Sequence, residues 1–368
     1  MILAGVSSAR EGSGDSCRGQ PTPPRVSIIV PFFNAGGLIA RCLRSIELQT
    51  YACWECLCVN DGSSDEGPRQ VEAYSARDSR FRLVRQENSG PGVARNMGLS
   101  ATTGEFFTFV DADDLLHVET LERLVDLASR HQVDLVMCGF QSFSASCPVQ
   151  DARSDDAIST AVYSAPLLPR LLDWRWCRVH PWGKLYRRSR FGDLRFPGFF
   201  GSEDTHYHLD VFRAAQSLVV TDEKLYLYRE SENTLTRNSS RHRHYVAGSE
   251  NVALHCEELC QTDDVPASLA AKLQMIYGTN RIFIELADMA GDQQLNDAQR
   301  RELLDMACRA VNRIAREVAG RHRIVAWQHM LTYWVAIRLR SLWLLKRVSA
   351  LRRWLIQTLR AGSGKRVS

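Results

Sequence analysis

Asp111, Asp113 and Asp114 stand within four positions, directly after the apolar run Phe106-Phe107-Thr108-Phe109-Val110. Such a run fits a buried strand, and its acidic end must then emerge where negative charge is favoured. In an α/β protein that place is the crevice beyond the carboxyl ends of the strands. Carboxylates one residue apart there suit a hard divalent cation, Mg²⁺ or Mn²⁺, that also holds phosphate oxygens. The competing reading makes Asp113 or Asp114 an N-cap ahead of Leu115-Leu116. A second acidic pair, Glu203-Asp204, has the same ambiguity. It could supply a general base, or it could be the first turn of a helix over Thr205 to Ala215, placed there by the helix dipole. Arg95 carries a planar fork suited to a base carbonyl or a phosphate. Cys53, Cys56 and Cys58 have knuckle-like spacing, but Trp54 to Val59 reads as a buried strand whose side chains alternate between faces. A buried structural role is therefore expected for them.

The elements that would position these groups alternate. Strands are expected at Val26 to Val30, Cys56 to Val59, Phe81 to Arg85, Phe106 to Val110 and Leu135 to Cys138. Helices are expected at Leu38 to Leu48, Gln70 to Arg77, Val93 to Ser100 and Val118 to Arg130. The expected fold is α/β, a mostly parallel sheet with helices on both faces. Polar clusters at Asn34, Asp61 to Asp65 and Asp111 to Asp114 come after three of the strands and should gather on one sheet edge. No Walker loop and no Gly-x-Gly-x-x-Gly opens a helix, which argues against P-loop and ordinary dinucleotide sites. Beyond about His242 the chain reads as helices only.

The 368 residues are 45% hydrophobic and 24% charged, as in a folded globular protein. Residues 1–24, rich in Ser, Gly and Pro, read as a disordered leader without a signal-peptide core. Eleven scattered cysteines point to reduced thiols in a cytoplasmic compartment. From Arg321 to Ser368 there are eleven Lys or Arg and no Asp or Glu, interleaved with Trp327, Trp334, Trp343 and Trp354. This tail suits an anionic membrane surface, giving a peripheral protein on the inner face of the cell membrane. A helical contact in a homodimer is the competing use of the tail. Nucleic acid is disfavoured, because no reading motif accompanies the charge.

Six segments together carry a family resemblance. Val26-Ser27-Ile28-Ile29-Val30-Pro31-Phe32-Phe33-Asn34, Val59-Asn60-Asp61-Gly62-Ser63-Ser64-Asp65, the stretch Gln86 to Gly98, and Val110-Asp111-Ala112-Asp113-Asp114 resemble, in order, motifs of family-2 glycosyltransferases with the GT-A fold. Trp182-Gly183-Lys184-Leu185-Tyr186-Arg187-Arg188 and Gly201-Ser202-Glu203-Asp204-Thr205 resemble acceptor-side motifs of members that build bacterial polysaccharides. The resemblance covers residues 25–240 as a GT-A domain and leaves 241–368 as a helical region with the basic, aromatic-rich tail.

The resemblance implies an inverting, metal-dependent transferase that uses a nucleotide sugar, most simply a UDP-sugar. Its acceptor would be a growing cell-surface glycan or lipid-linked saccharide. By the same resemblance, Asp61 and backbone groups around Pro31, Phe33 and Asn34 meet the base. Arg95 meets the base or a phosphate, Asp111 and Ala112 lie by the ribose, and Asp113 holds Mn²⁺ or Mg²⁺. Asp204 is the expected base, with Glu203 as reserve or orienting partner. On the acceptor side Trp182 could stack on a sugar and Lys184 meet a phosphate, or the pair could equally be a core tryptophan beside a snorkelling lysine. Arg178, Arg187 and Arg188 could face a lipid-linked pyrophosphate, the competing reading being solvated surface. Tyr228 to Thr236 resembles a loop closing over the donor, from which Arg229 would reach the diphosphate. His206 and His208 alternate and cannot share a helix face, so no two-histidine metal site is expected from them. His242 and His244 are minor candidates for late metal or phosphate contacts. A non-catalytic sugar-nucleotide or glycan-binding subunit of a membrane-associated assembly complex is the alternative function.

Overall fold

The computed structural model describes residues 24–143, 159–172, 179–230, 241–259, 265–279 and 295–321, together with 261, 282 and 285. The strands in chain order are β1 (Val26–Phe32), β2 (Trp54–Asp61), β3 (Phe81–Gln86), β4 (Phe106–Phe109), β5 (Leu115–Leu116), β6 (Leu135–Phe143), β7 (Thr160–Ser164), β8 (Lys184–Arg187) and β9 (Ser217–Arg229). The helices are α1 (Ile39–Glu47), α2 (Gly67–Arg77), α3 (Pro91–Ser100), α4 (Thr120–His131), α5 (Arg188–Phe191), α6 (Glu203–Ala214), α7 (Arg241–Leu259), α8 (Ala267–Leu273) and α9 (Asp297–Arg321).

The sheet runs β3-β2-β1-β4-β8-β6-β9-β5, with β7 also paired to β9. From β3 to β4 it is parallel, as expected. Beyond β4 the expectation is corrected. β8 is antiparallel to both neighbours, β6 and β9 are parallel, and β5 and β7 run antiparallel to β9. The result is a mixed sheet whose first four strands, β3 to β4, form an all-parallel block. That block matters most for the site, because parallel strands release their carboxyl ends on one edge. Phe32 lies level with Asn60, Asp61 with Gln86, and the Val110 amide donates to the Ile29 carbonyl at 3.0 Å.

Helices cover both faces. Ile39, Ile46, Val71, Leu121 and Leu124 pack against one face of the sheet, while Ala94, Leu99, Tyr207 and Phe212 pack against the other. β1 and β2 are buried almost throughout, as strands covered on both sides must be. Phe107 stacks on Tyr186 with centroids 4.9 Å apart and planes within 4°, worth about 0.5–1.5 kcal/mol beyond the area buried. A Cβ on Gly98 would lie 2.4 Å from Ile29 Cγ2, so only glycine lets α3 approach β1 this closely.

Two local expectations change. Leu115-Leu116 is not a helix start but β5, paired to Leu227 and Tyr226, and the helix begins at Thr120 with Glu119 at its cap. Cys56 and Cys58 do share a face, since strand residues two apart must, and their sulfurs lie 3.7 Å apart. Both are buried, and burial raises the Cys56 thiol well above its usual range, as an inert core thiol requires. After β9 the described elements are helical, as expected, and no helix among the described residues is long and apolar enough to cross a membrane. The leader up to residue 23, Arg178, most of the Tyr228 to Thr236 loop and the tail beyond Arg321 lie outside the described residues.

Candidate active site

The site is built outward from the end of β2. Asp61, 4% exposed, accepts from Gln86 Nε2 (2.7 Å), Ser89 N (2.8 Å) and Gly90 N (2.9 Å). This carboxylate therefore folds the 86–90 segment back over the sheet edge. Gly90, at φ 90°, turns the chain, and Pro91 opens α3 at a position where a missing N–H costs nothing. The Asn96 side chain pairs with both backbone groups of Phe196 (2.8 Å each), which places the Phe196 ring beneath the next feature.

That feature is Arg95, whose guanidinium lies 5.3 Å from the Phe196 ring centre and is almost wholly buried. Nη1 donates to Asp204 Oδ1 at 2.9 Å, Nη2 donates to Asp111 Oδ1 at 3.2 Å, and Glu203 Oε1 stands 3.7 Å from Nη1. Three carboxylates from two distant motifs thus meet one planar cation, whose rigid fork can span them as a lysine could not. Burial opposes the arginine's charge, but Asp204, Asp111 and Glu203 outweigh it and raise its pKa further. Asp204 is pushed up to about 7, chiefly by burial; Arg95 pulls it down while Glu203 and Asp111 push it up.

At the end of β4 the chain makes a tight turn, with the Asp114 amide bonded to the Asp111 carbonyl (3.0 Å). Asp114 is 1% exposed and caps no helix. It accepts from Tyr226 Oη at 2.6 Å and from the Arg229 amide at 2.7 Å. Burial, then Asp111 and Asp113, push Asp114 up to about 9. Burial, then Asp111, push Asp113 up to about 6, with Arg229 acting in the opposite direction. The turn gathers more carboxylate than the neighbouring cations neutralise, and its donor atoms are all oxygen. This is the chemistry a hard divalent cation fits. Tyr226 anchors the turn from the other half of the sheet, and its hydroxyl also accepts from the Asp111 amide at 3.2 Å. Tyr226→Phe should destabilise the fold by about 1–3 kcal/mol, because it strips the buried Asp114 carboxyl of its hydrogen-bond partner. Urea unfolding monitored by circular dichroism checks this.

Residues 27–195 match the model of glycosyl transferase family 2. This region is a family-2 glycosyltransferase domain. Among curated relatives, an uncharacterized glycosyltransferase of Bacillus subtilis, EpsJ, is 35% identical over 58% of this chain and 63% of its own length. The glycosyltransferase GlyA of Streptococcus pneumoniae is 30% identical over 58% of this chain and 32% of its own. The chain thus spans less than two thirds of these relatives. The crystal structure of Staphylococcus aureus TarS 1–349 in complex with UDP-GlcNAc superposes with a TM-score of 0.62 at 22% identity, covering 90% of this chain and 92% of that one. The shared fold is GT-A.

The expected site residues fall into two groups, one of which reaches past the matched region to Glu203 and Asp204. Asp111, Arg95, Glu203 and Asp204 are joined by ion pairs. Pro31 near the end of β1, and Phe33 and Asn34 just beyond it, lie on the same edge, with Phe33 45% exposed. Asn34, in the left-handed region at φ 49°, is tied to the β2 turn through Ser63 Oγ (3.0 Å) and the Ser64 amide (2.9 Å). Ala112 is buried inside the turn.

The acceptor-side expectations are corrected. Trp182, 7% exposed, stacks on His180 (3.4 Å) and Tyr226 (4.4 Å), so it has no open face for a sugar. Lys184 is 1% exposed and donates to the His180 carbonyl. Even so, it lies close enough to lower the pKa of Asp204. Arg187 bonds Glu105 (2.7 Å) and Arg188 the Gly104 carbonyl (2.5 Å), at the end of β4 remote from Asp111. His242 is buried against Glu285 at 3.0 Å, away from the carboxylate turn, and the exposed His244 packs beside Phe200. His208 turns into the core between Tyr186 Oη (2.9 Å) and the Asp204 carbonyl (2.8 Å), as its alternation with His206 requires. Tyr226 and Phe196 escape sequence reading, because their roles come from β9 and from a loop without periodicity.

Proposed function

We propose that the chain transfers a sugar from a nucleotide-diphosphate donor, most simply a UDP-sugar, to a hydroxyl of a glycan or lipid-linked saccharide. Inversion at the anomeric carbon results from a single displacement with one base. The observation carrying this reading is the Arg95 junction, where Asp111 at the donor-side turn and Asp204 at the start of α6 share one guanidinium.

Asp204 accepts the proton of the acceptor hydroxyl. A pKa near 7 suits that task, since a base poised near the working pH combines availability with driving force. Arg95 holds the Asp204 carboxylate in place, and Glu203, bonded to the Gly201 amide at 2.8 Å, fixes the loop that starts α6. Asp113, with Asp111 beside it, would hold Mn²⁺ or Mg²⁺, which when bound offsets charge on the departing diphosphate. Arg229, whose Nε is buried without a hydrogen-bond partner and whose charge lowers the pKa of Asp113, would turn toward the same phosphates. TarS, bound to UDP-GlcNAc, supports the donor class. The composition of the tail supports attachment to an anionic membrane.

A thermal-shift screen of nucleotide sugars with Mn²⁺ tests the donor, because the true ligand stabilises by mass action. Asp113→Ala is expected to abolish both the Mn²⁺-dependent part of that shift and turnover. Full metal-dependent turnover in this variant would overturn the assignment of Asp113.

A further inference from the structure

Two residues past Asp204, α6 carries a second cluster that the transfer chemistry does not use. His206 and Asp210, one helical turn apart, project toward His255 on α7. One ligand atom from each lies within 4.8 Å of the others, and all three side chains are partly exposed. His255 Nε2 is 3.0 Å from Asp210 Oδ1, while its Nδ1 is 3.4 Å from Glu258 Oε2. The His206 and His255 rings stack with centroids 3.8 Å apart. His206 Nδ1 is buried and has no hydrogen-bond partner.

From this geometry we infer that His206, Asp210 and His255 form a site for a borderline divalent cation, Zn²⁺ in particular, that clamps α6 to α7. Two imidazoles and one carboxylate are a zinc donor set, whereas the all-oxygen turn at Asp113 selects a harder ion. Donor atoms of a tetrahedral zinc site stand roughly 3.3–3.5 Å apart, so the cluster would have to tighten, with at least one of the stacked rings turning its edge to the ion. Glu258 supplies the outer carboxylate that fixes a ligating histidine by its second nitrogen. A water completes the fourth position. The ion would brace the helix whose first turn holds Glu203 and Asp204 against a helix already in close contact with it. A Cβ on Gly248 of α7 would fall 1.6 Å from the Gly201 carbonyl oxygen. The clamp does not depend on the proposed sugar transfer and can be tested without it.

The full chain, stripped with chelator, is incubated with Zn²⁺ alone, desalted and assayed for bound metal. The expected result is one zinc retained by wild type and by Asp113→Asn, none by His255→Ala, and at least tenfold weaker binding by Asp210→Asn. Zn²⁺ should raise the melting temperature of wild type and not of His255→Ala. Co²⁺ in wild type should give the visible band of a tetrahedral nitrogen-containing site, a readout that needs no variant to fold. Failure of wild type to retain zinc, equal retention by Asp210→Asn, or loss in Asp113→Asn overturns the assignment.

Discussion

Asp204→Asn is expected to lower kcat by about 10²–10⁴ while UDP binding in the presence of Mn²⁺ stays within a few-fold of wild type. The amide keeps the shape and can still accept from Arg95 Nη1, now 2.9 Å from the carboxylate, but it cannot take a proton. Steady-state kinetics and calorimetry with UDP separate the two effects. Full turnover in this variant would move the base elsewhere, with Glu203 next in line. The wild-type pH profile gives a second check. Only ionised Asp204 acts as base, so activity should be half-maximal at a pH of about 7, approach its plateau above it and fall as pH drops through it. An Asp204→Asn variant should lose this limb.

Arg95→Met should be the most damaging single change to stability, at about 3 kcal/mol, measured as a lowered urea midpoint. It leaves Asp111, Asp204 and Glu203 facing one another in a largely desolvated space without their shared cation. Asp111 and Asp204 keep 29% and 30% of their side chains exposed, so solvent softens the loss and the low end of the usual range applies. Because Arg95 lowers the pKa of Asp204, its removal should move the acid limb to higher pH. A residue that merely supported the fold would leave that limb where it was. Arg95→Lys, keeping the charge but not the fork, should recover stability better than activity.

The all-parallel block of the sheet is legible in the sequence because its strands are apolar runs ended by turn residues, and that grammar is local. Asp61, Arg95, Asp111 and Asp204 can be singled out from residue type and motif order. The union of the last three cannot, because it depends on the start of α6 meeting α3 across more than a hundred residues of chain. β5 and β8, of two and four residues, are too short to display a period, and the thirteen-residue β9 escapes notice with them. Asp114 reads as a cap because a buried acid and a helix-starting acid look alike until the partner, Tyr226, is in place. Trp182 and Lys184 mislead for the converse reason. A Trp-Gly-Lys stretch carries no sign of whether its side chains face solvent or the neighbouring strands.

β8 runs against β4 and closes the parallel block that bears Asp61, Arg95 and the Asp111 turn. The chain beyond β8 is tied back to that block at several points, among them Asn96 with Phe196, Tyr226 with Asp114 and Arg95 with Asp204. The last of these joins two charged side chains, so changing either alone leaves the other's charge without its partner. A lineage that alters position 204 must answer at position 95, so the two sites should drift as a pair.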